Sequence, residues 1–390
     1  RLYILYRDGA RNSYLSRVHR RTTAAAMTLT QRLTLLFWGL LHIFGLVSAC
    51  IYKYGTSPDS LAPPHGGTHW DHGLNGDDWI GVDAVGNPWT CSSGIRQSPI
   101  NLPATQSLEL NGDTLSRNLR TSWNYPTIHS NGSNVEVINN GHAIQIEWLS
   151  PYAADVQIVV PARQSNSTSV TAVLGMQQGE QSTTVRATPT QFHFHTISEH
   201  LIMGKHYPLE LHIVHKITDL PACTSGCYSV TSVLFELTDV GDNSLLDSIW
   251  AAMPMREGQI NFMPAGTEIR LGELLPHINV RDYMAYEGSL TTPPCTEGLL
   301  WHVMVHPQKI SRAQWTKYKT AVSFKDCAFK NATSTAGHRH HRHHHHRRML
   351  LADEGPVGNP QDYTCTVAAY GFNYRSSQQA YGRAVKLARA

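Results

Sequence analysis

Two histidines two residues apart, with a third seventeen residues further on, constrain this chain more than any other feature. They lie in Gln191–His212, which reads QFHFHTISEHLIMGKHYPLELH. In extended backbone alternate side chains share a face, so His193 and His195 project together from one strand. His212 sits in a second strand-like run, 209–215, and the Gly204-Lys205 turn signal between the runs lets the two strands lie side by side. Three neutral imidazoles converging on one point would bind zinc with a fourth position open, which is the catalytic and not the structural pattern. Taken alone, His-x-His suits ordinary strand histidines equally well. The neighbours favour the metal: Gln191 precedes His193 by two residues and Glu210 precedes His212 by two, so each ring has a polar group on its own face that can fix its orientation.

From Trp70 to Trp301 the chain is a succession of short strand-like runs and turns, with few long amphipathic helical patterns. The runs are 135–138, 143–148, 155–160, 191–195, 209–215 and 230–235, and they describe a sheet-dominated domain. With 41% hydrophobic and 16% charged residues, the 390-residue chain can bury a sizeable core.

The flanks read differently. Residues 1–26 carry six Arg and one Asp and precede the first Met, Met27, so they are expected to be an upstream segment outside the fold. Residues 27–49 then have the order of a signal peptide: a short polar start, an apolar run from Leu33 to Val47, and the small residues Ser48-Ala49. A membrane anchor is the alternative, but the run is short for a bilayer, and contact with the membrane is expected only through this cleaved segment. Without residues 1–49 the chain keeps 25 basic and 28 acidic residues. That near-neutral balance gives no basic surface for nucleic acid. Glycosylation sequons at Asn131, Asn166 and Asn331 agree with a secreted, periplasmic or extracellular protein. The seven cysteines then imply up to three disulfides, and Cys223 with Cys227 read as one small closed loop, a zinc knuckle being the alternative.

A further set of motifs points to a family: Gln97-Ser98-Pro99-Ile100-Asn101, Asn139-Asn140-Gly141-His142-Ala143, Ser198-Glu199-His200 and the run 289–301, SLTTPPCTEGLLW. Together with the three histidines they resemble the α-type carbonic anhydrases, from about Trp70 to Val303 and again at the C-terminus. The secreted periplasmic enzymes of green algae are the members most similar in their leader and His-rich insert. The resemblance implies a mainly β (α+β) fold, a single domain on a large, mostly antiparallel twisted sheet with short peripheral helices. It also implies one zinc ion held by His193, His195 and His212, and reversible hydration of CO2 to bicarbonate and a proton. Thr291 matches the hydroxyl that orients the nucleophile by donating to Glu199, as a group that both donates and accepts can do. His142 matches the proton shuttle, a role suited to an imidazole near neutral pH. Val214, Val230, Leu290, Thr292, Leu299 and Trp301 match the pocket for uncharged CO2. Asn373 matches the residue whose carbonyl supports His195. His72, where most relatives have Tyr, is a departure that adds a titratable group near the cavity.

Asn373-Tyr374-Arg375-Ser376-Ser377-Gln378 and Arg383 resemble the family's last core motif. The domain is therefore expected in two pieces, 50–327 and 363–390, interrupted by a His/Arg-rich linker at 328–362 that contains HRHHRHHHHRR. Arg347-Arg348 in that linker is a candidate cleavage point. The expected product is two chains from one precursor, joined by Cys327–Cys365. The resemblance also pairs Cys91 with Cys295, leaving Cys50 free to link two molecules. Two other function classes stay open at this stage: a recognition module on the same fold, and a metal buffer acting through the histidine run.

Overall fold

The computed structural model describes residues 68, 70–83, 86–149, 155–161, 182–217, 219, 227–329, 363–367 and 371–390. Every apolar run read from the sequence forms a strand, most of them longer than the run itself: Val135–Asn139, Ile144–Trp148, Asp155–Pro161, Ser182–His195, Leu209–Ile217 and Cys227–Thr238. Aromatic and β-branched residues favour such pleated, half-buried surfaces. Length comes from pairing, because each strand gains hydrogen bonds for as long as a neighbour runs beside it.

These strands belong to a twelve-stranded sheet. Its main path runs Ile260–Phe262, Val135–Asn139, Ile144–Trp148, Ser182–His195, Leu209–Ile217, Cys227–Thr238, Glu297–Met304, Tyr283–Ser289 and Val385–Ala388. Most pairings are antiparallel, but Cys227–Thr238 runs parallel both to Glu297–Met304 and to Gln308–Ser311, so the sheet is mixed. The helices are short and peripheral. Ser244–Ala251 buries Leu245, Leu246, Ile249 and Trp250, and Asn243 caps it by accepting from the Leu246 N–H. Arg312–Ser323 buries Tyr318 and Val322.

Register decides which side chains share a face. His193 lies opposite His212, and Phe192 opposite Ile213. Val230 lies opposite Val214 on one side and Trp301 on the other. One face thus carries His193, His195, Glu210, His212, Val214, Val230 and Trp301. The reverse face carries Phe192, Phe194, Leu211, Ile213 and, further along, His215, Ser229, Thr231 and His302. Phe194 packs edge-on against Trp250, with ring centroids 4.9 Å apart, so the helices cover that end of the reverse face.

The C-terminal segment closes the sheet. Val385–Ala388 pairs with Tyr283–Ser289, and the stretch before it threads past the ligand strands, where Asn373 N donates to Thr196 O and Gln378 N to Pro99 O. The strand Phe324–Phe329 pairs antiparallel with Tyr363–Val367. Ala328 and Phe329 therefore belong to a strand and not to the expected linker. The side chains of Cys327 and Cys365, residues 1–67, Asn166, Asn331 and the histidine run lie outside the described residues. Asn131 is exposed in a turn, its Oδ1 accepting from Ser133 N and Oγ. Among the described residues no helix is long and apolar enough to cross a membrane.

Candidate metal centre

The structure brings His193, His195 and His212 together. One nitrogen from each lies within 4.8 Å of the others, and all three residues are buried. The opposite nitrogens show which ones are free to ligate. His193 Nδ1 donates to Gln191 Oε1 at 2.9 Å and His195 Nδ1 to the Asn373 carbonyl at 2.7 Å. Carbonyl oxygens only accept, so both rings carry hydrogen on Nδ1 and a bare lone pair on Nε2. His212 is held the other way round, its Nε2 donating to Glu210 Oε1 at 2.8 Å, which leaves Nδ1 bare. His195 Nε2 is buried without a hydrogen-bond partner, as expected of a ligand atom aimed at a cation. Burial pushes the pKa of each ring below its ordinary value, with nearby rings adding to the effect. Three neutral imidazoles with lone pairs converging on one point fit a borderline-soft divalent cation such as zinc. His200, Glu210 and His212 form a second group of suitable atoms. Its members already bond to one another, so it supports the first group and does not compete with it.

Glu210 anchors that support. Its Oε1 accepts from His212, from His200 Nδ1 at 2.7 Å and from Ser232 Oγ at 2.6 Å, while Oε2 accepts from His200 N at 2.8 Å. Burial opposes its charge, but the His200 and His212 rings outweigh burial and hold its carboxyl well below the usual carboxylate range. His200 Nε2 continues the chain to Tyr286 OH at 2.6 Å, which pairs with Ser98 Oγ at 2.8 Å.

Glu199 lies beside two of the three rings, 3.5 Å from His195 Nδ1 and 3.8 Å from His212 Nδ1. Burial pushes its pKa up to about 7, against the lowering pull of His212, the Thr291 hydroxyl and the Arg375 N–H. The N–H contact is a good hydrogen bond, 2.8 Å to Oε1. Oε2 of Glu199 is buried and has no hydrogen-bond partner among the described residues. Thr291 and Thr292 are buried in the loop closed by the Cys91–Cys295 disulfide, which Thr90 also ties down by donating to Cys295 O at 2.7 Å. Cys227 is disulfide-bonded as well, and Cys223 lies outside the described residues.

Val214, Val230, Leu290, Leu299 and Trp301 are all buried. Trp301 packs edge-on against His212, with centroids 4.8 Å apart, and register sets Val230 between Val214 and Trp301. His142 sits in the turn before Ile144–Trp148, where Asn140 Oδ1 accepts from the N–H groups of His142 and Ala143. Its ring stacks on Trp70, 3.7 Å between centroids and 10° from parallel.

Reading residue types in order misses three supports. Ser232 faces His212 across the sheet and could have been found from strand alternation. Tyr286 and the buried Arg375 could not, because their contacts are set by tertiary folding. The Arg375 guanidinium donates to the oxygens of Gln97, Ser98 and Cys91, joining the tail to the disulfide loop.

Known proteins share this family profile and this fold. A sequence profile described as eukaryotic-type carbonic anhydrase matches residues 79–352. A carbonic anhydrase of Klebsiella pneumoniae is 34% identical over 236 residues, covering 60% of this chain and 75% of that protein. One from Dunaliella salina is 28% identical over 246 residues, covering 60% of this chain and 38% of that protein. Among solved structures, the α-carbonic anhydrase of Thermovibrio ammonificans in complex with sulfanilamide is 26% identical with a TM-score of 0.51, covering 83% of this chain and all of that one. With the profile spanning more than half of its length, the chain belongs to the eukaryotic-type carbonic anhydrases.

Proposed function

We propose that this protein is a zinc enzyme that hydrates CO2 reversibly to bicarbonate and a proton outside the plasma membrane, supplying inorganic carbon. One observation carries the reading: three buried imidazoles whose opposite nitrogens are each held by a protein acceptor, so that three lone pairs meet. His193, His195 and His212 would hold the metal. Zinc, when bound, supplies Lewis acidity that makes deprotonated water accessible near neutral pH, an effect for which carbonic anhydrases are themselves the standard example.

The chain's own residues do the rest. Thr291 accepts a hydrogen bond from the attacking water and donates its own to the Glu199 carboxyl, fixing the direction of attack. The Arg375 N–H holds that carboxylate in place. Val214, Val230, Leu290, Thr292, Leu299 and Trp301 form the pocket in which CO2, having no charge to bind, is held by contact and exclusion of water. His142 receives the proton released in each cycle and hands it to buffer. Gln191, Glu210 and Asn373 fix the ring orientations, so the site depends on a segment that follows the linker.

The leader pattern and the sequons support secretion, and the pairing of Phe324–Phe329 with Tyr363–Val367 brings the strands carrying Cys327 and Cys365 side by side. We read the mature form as two chains linked through these cysteines, with Cys50 available to join two such molecules. The deciding experiment is CO2 hydration by protein recovered from the medium, before and after zinc removal. Activity should vanish with the metal, return on adding one zinc per chain and be absent in His193→Ala. Activity indifferent to zinc removal would sink the proposal. A single band of unchanged size on reducing and non-reducing gels would sink the two-chain form.

A further inference from the structure

His72 is a departure from the family pattern, and the structure gives it neighbours. Its ring lies 6.1 Å from the ring of His142, centroid to centroid. Both contact the same indole: Trp70 stacks on His142 and meets His72 edge-on at 5.3 Å. Trp79 closes the group, 4.9 Å from Trp70 and 5.5 Å from His72. Each histidine is half-buried, His72 Nε2 and His142 Nδ1 being buried nitrogens.

The C-terminal segment holds both loops. Ser376 N donates to Asn75 O at 2.8 Å, next to the turn in which Asn75 N donates to His72 O. Asn373 Nδ2 donates to His142 O at 2.8 Å, and Asn373 O accepts from His195. One short segment thus fixes the spacing of the two imidazoles to each other and to the metal centre.

The charged and titratable groups around the pair, among the described residues, are few. Asp71 precedes His72 and accepts from Gly73 N. Glu257 abuts the His142 turn, where a Cβ on Gly141 would lie 2.4 Å from its Oε1. The Arg375 guanidinium lies over Trp79, 5.6 Å from the ring centroid, and interacts with Asp77. Tyr374 OH accepts from Asn75 Nδ2.

We propose that His72 and His142 act as a two-imidazole proton relay, so that His72 is a further proton-transfer residue for the reaction. A proton taken up by one ring as imidazolium passes through a bridging water to the other and leaves to buffer, and both rings return to neutral. A gap of this size is one that a single water can span. The inference rests on the proposed function, since the proton comes from hydration.

Two measurements test it. In the zinc enzyme at low buffer, His72→Phe should lower kcat about threefold or more, with kcat/KM unchanged and kcat restored by added imidazole. His72→Phe combined with His142→Ala should fall no further than the worse single variant, because the two work in one path. In zinc-free protein, ring-proton NMR should show that His142→Ala moves the titration midpoint of His72, because neighbouring sites titrate as a pair. Unchanged kcat and buffer dependence in His72→Phe, or a His72 titration indifferent to His142, would overturn the relay. Wild-type protein that hydrates no CO2 would instead overturn the proposed function, while uncoupled titrations count against the relay alone.

Discussion

The strands Ser182–His195, Leu209–Ile217 and Glu297–Met304 between them carry histidines on both faces of the sheet, and the two sets differ in what holds them. On the metal face, the outer nitrogens of His193, His195 and His212 go to an amide oxygen, a backbone carbonyl and a carboxylate. On the reverse face, His215 Nε2 pairs with Tyr125 OH at 2.7 Å and His302 Nε2 with Thr121 Oγ1 at 2.8 Å. His215 Nδ1 also donates to the Ser229 carbonyl at 3.3 Å, and the His302 ring also meets the Val230 backbone, so these rings have protein partners besides their hydroxyls. On the metal face a pure acceptor on one nitrogen imposes the tautomer, and the lone pair on the other nitrogen is left for the cation. Burial is common to both faces; a ring prepared to bind a metal has one nitrogen held and the other left for the cation, whereas His215, which only completes a core, has both nitrogens taken by protein groups.

The largest expected effect concerns acid stability of the reverse face. Burial pushes the His215 pKa down to about 4 and that of His302 down to about 3, the latter with help from neighbouring His215. Both folded values lie below the unfolded value of about 6.5. Below that pH the unfolded chain binds protons that the native protein does not, so stability is complete above about 6.5 and falls as pH drops toward 4 and then 3. Each such histidine costs about 1.4 kcal/mol per pH unit across its window, or about 3 kcal/mol for His215 by pH 4. Denaturant unfolding of zinc-free protein from pH 7 to 4 checks this. A Tyr125→Phe/His215→Phe variant should show the shallower slope of one fewer proton taken up on unfolding. An unaltered slope would mean that the ring is not buried neutral.

Next in size is Glu210→Gln. The amide keeps one acceptor oxygen where the carboxylate serves four donors, and its NH2 opposes the N–H groups of His200 and His212. The His212 tautomer is no longer imposed, and zinc affinity should fall about 10- to 100-fold, as read by competition with a chromophoric chelator. Full affinity in this variant would remove the distinction between the two faces. The smallest effect is expected from Tyr125→Phe. Loss of its hydroxyl should cost about 1 kcal/mol of stability and leave zinc affinity and kcat/KM as they were. A change in zinc affinity would show that the faces are coupled.

Much of this was legible in the sequence, for a physical reason. Strand periodicity alone puts His193 and His195 on one face with Gln191, and Glu210 on the face of His212, so the ligands and two of their supports follow from parity. The strand cores were equally clear, as their apolar runs are buried from Val135 to Asn139 and from Leu209 to Val214. Alternation also holds for His215 and His302, yet the sequence does not reveal a reverse-face pair, because Tyr125 and Thr121 reach these rings from segments 90 and 181 residues away. The parallel pairings of Cys227–Thr238 were hidden for the same reason, since direction depends on how the chain returns.

The sequence by itself determined the residue types that can meet a metal and the faces on which they stand, because both follow from the two-residue repeat of extended backbone. Only the tertiary structure decided which nitrogen of each ring is free, that Asn373 and Arg375 reach His195 and Glu199 from beyond the linker, and that His72 stands beside His142. Those outcomes depend on register and on contacts between segments far apart in the chain, and no local pattern encodes them.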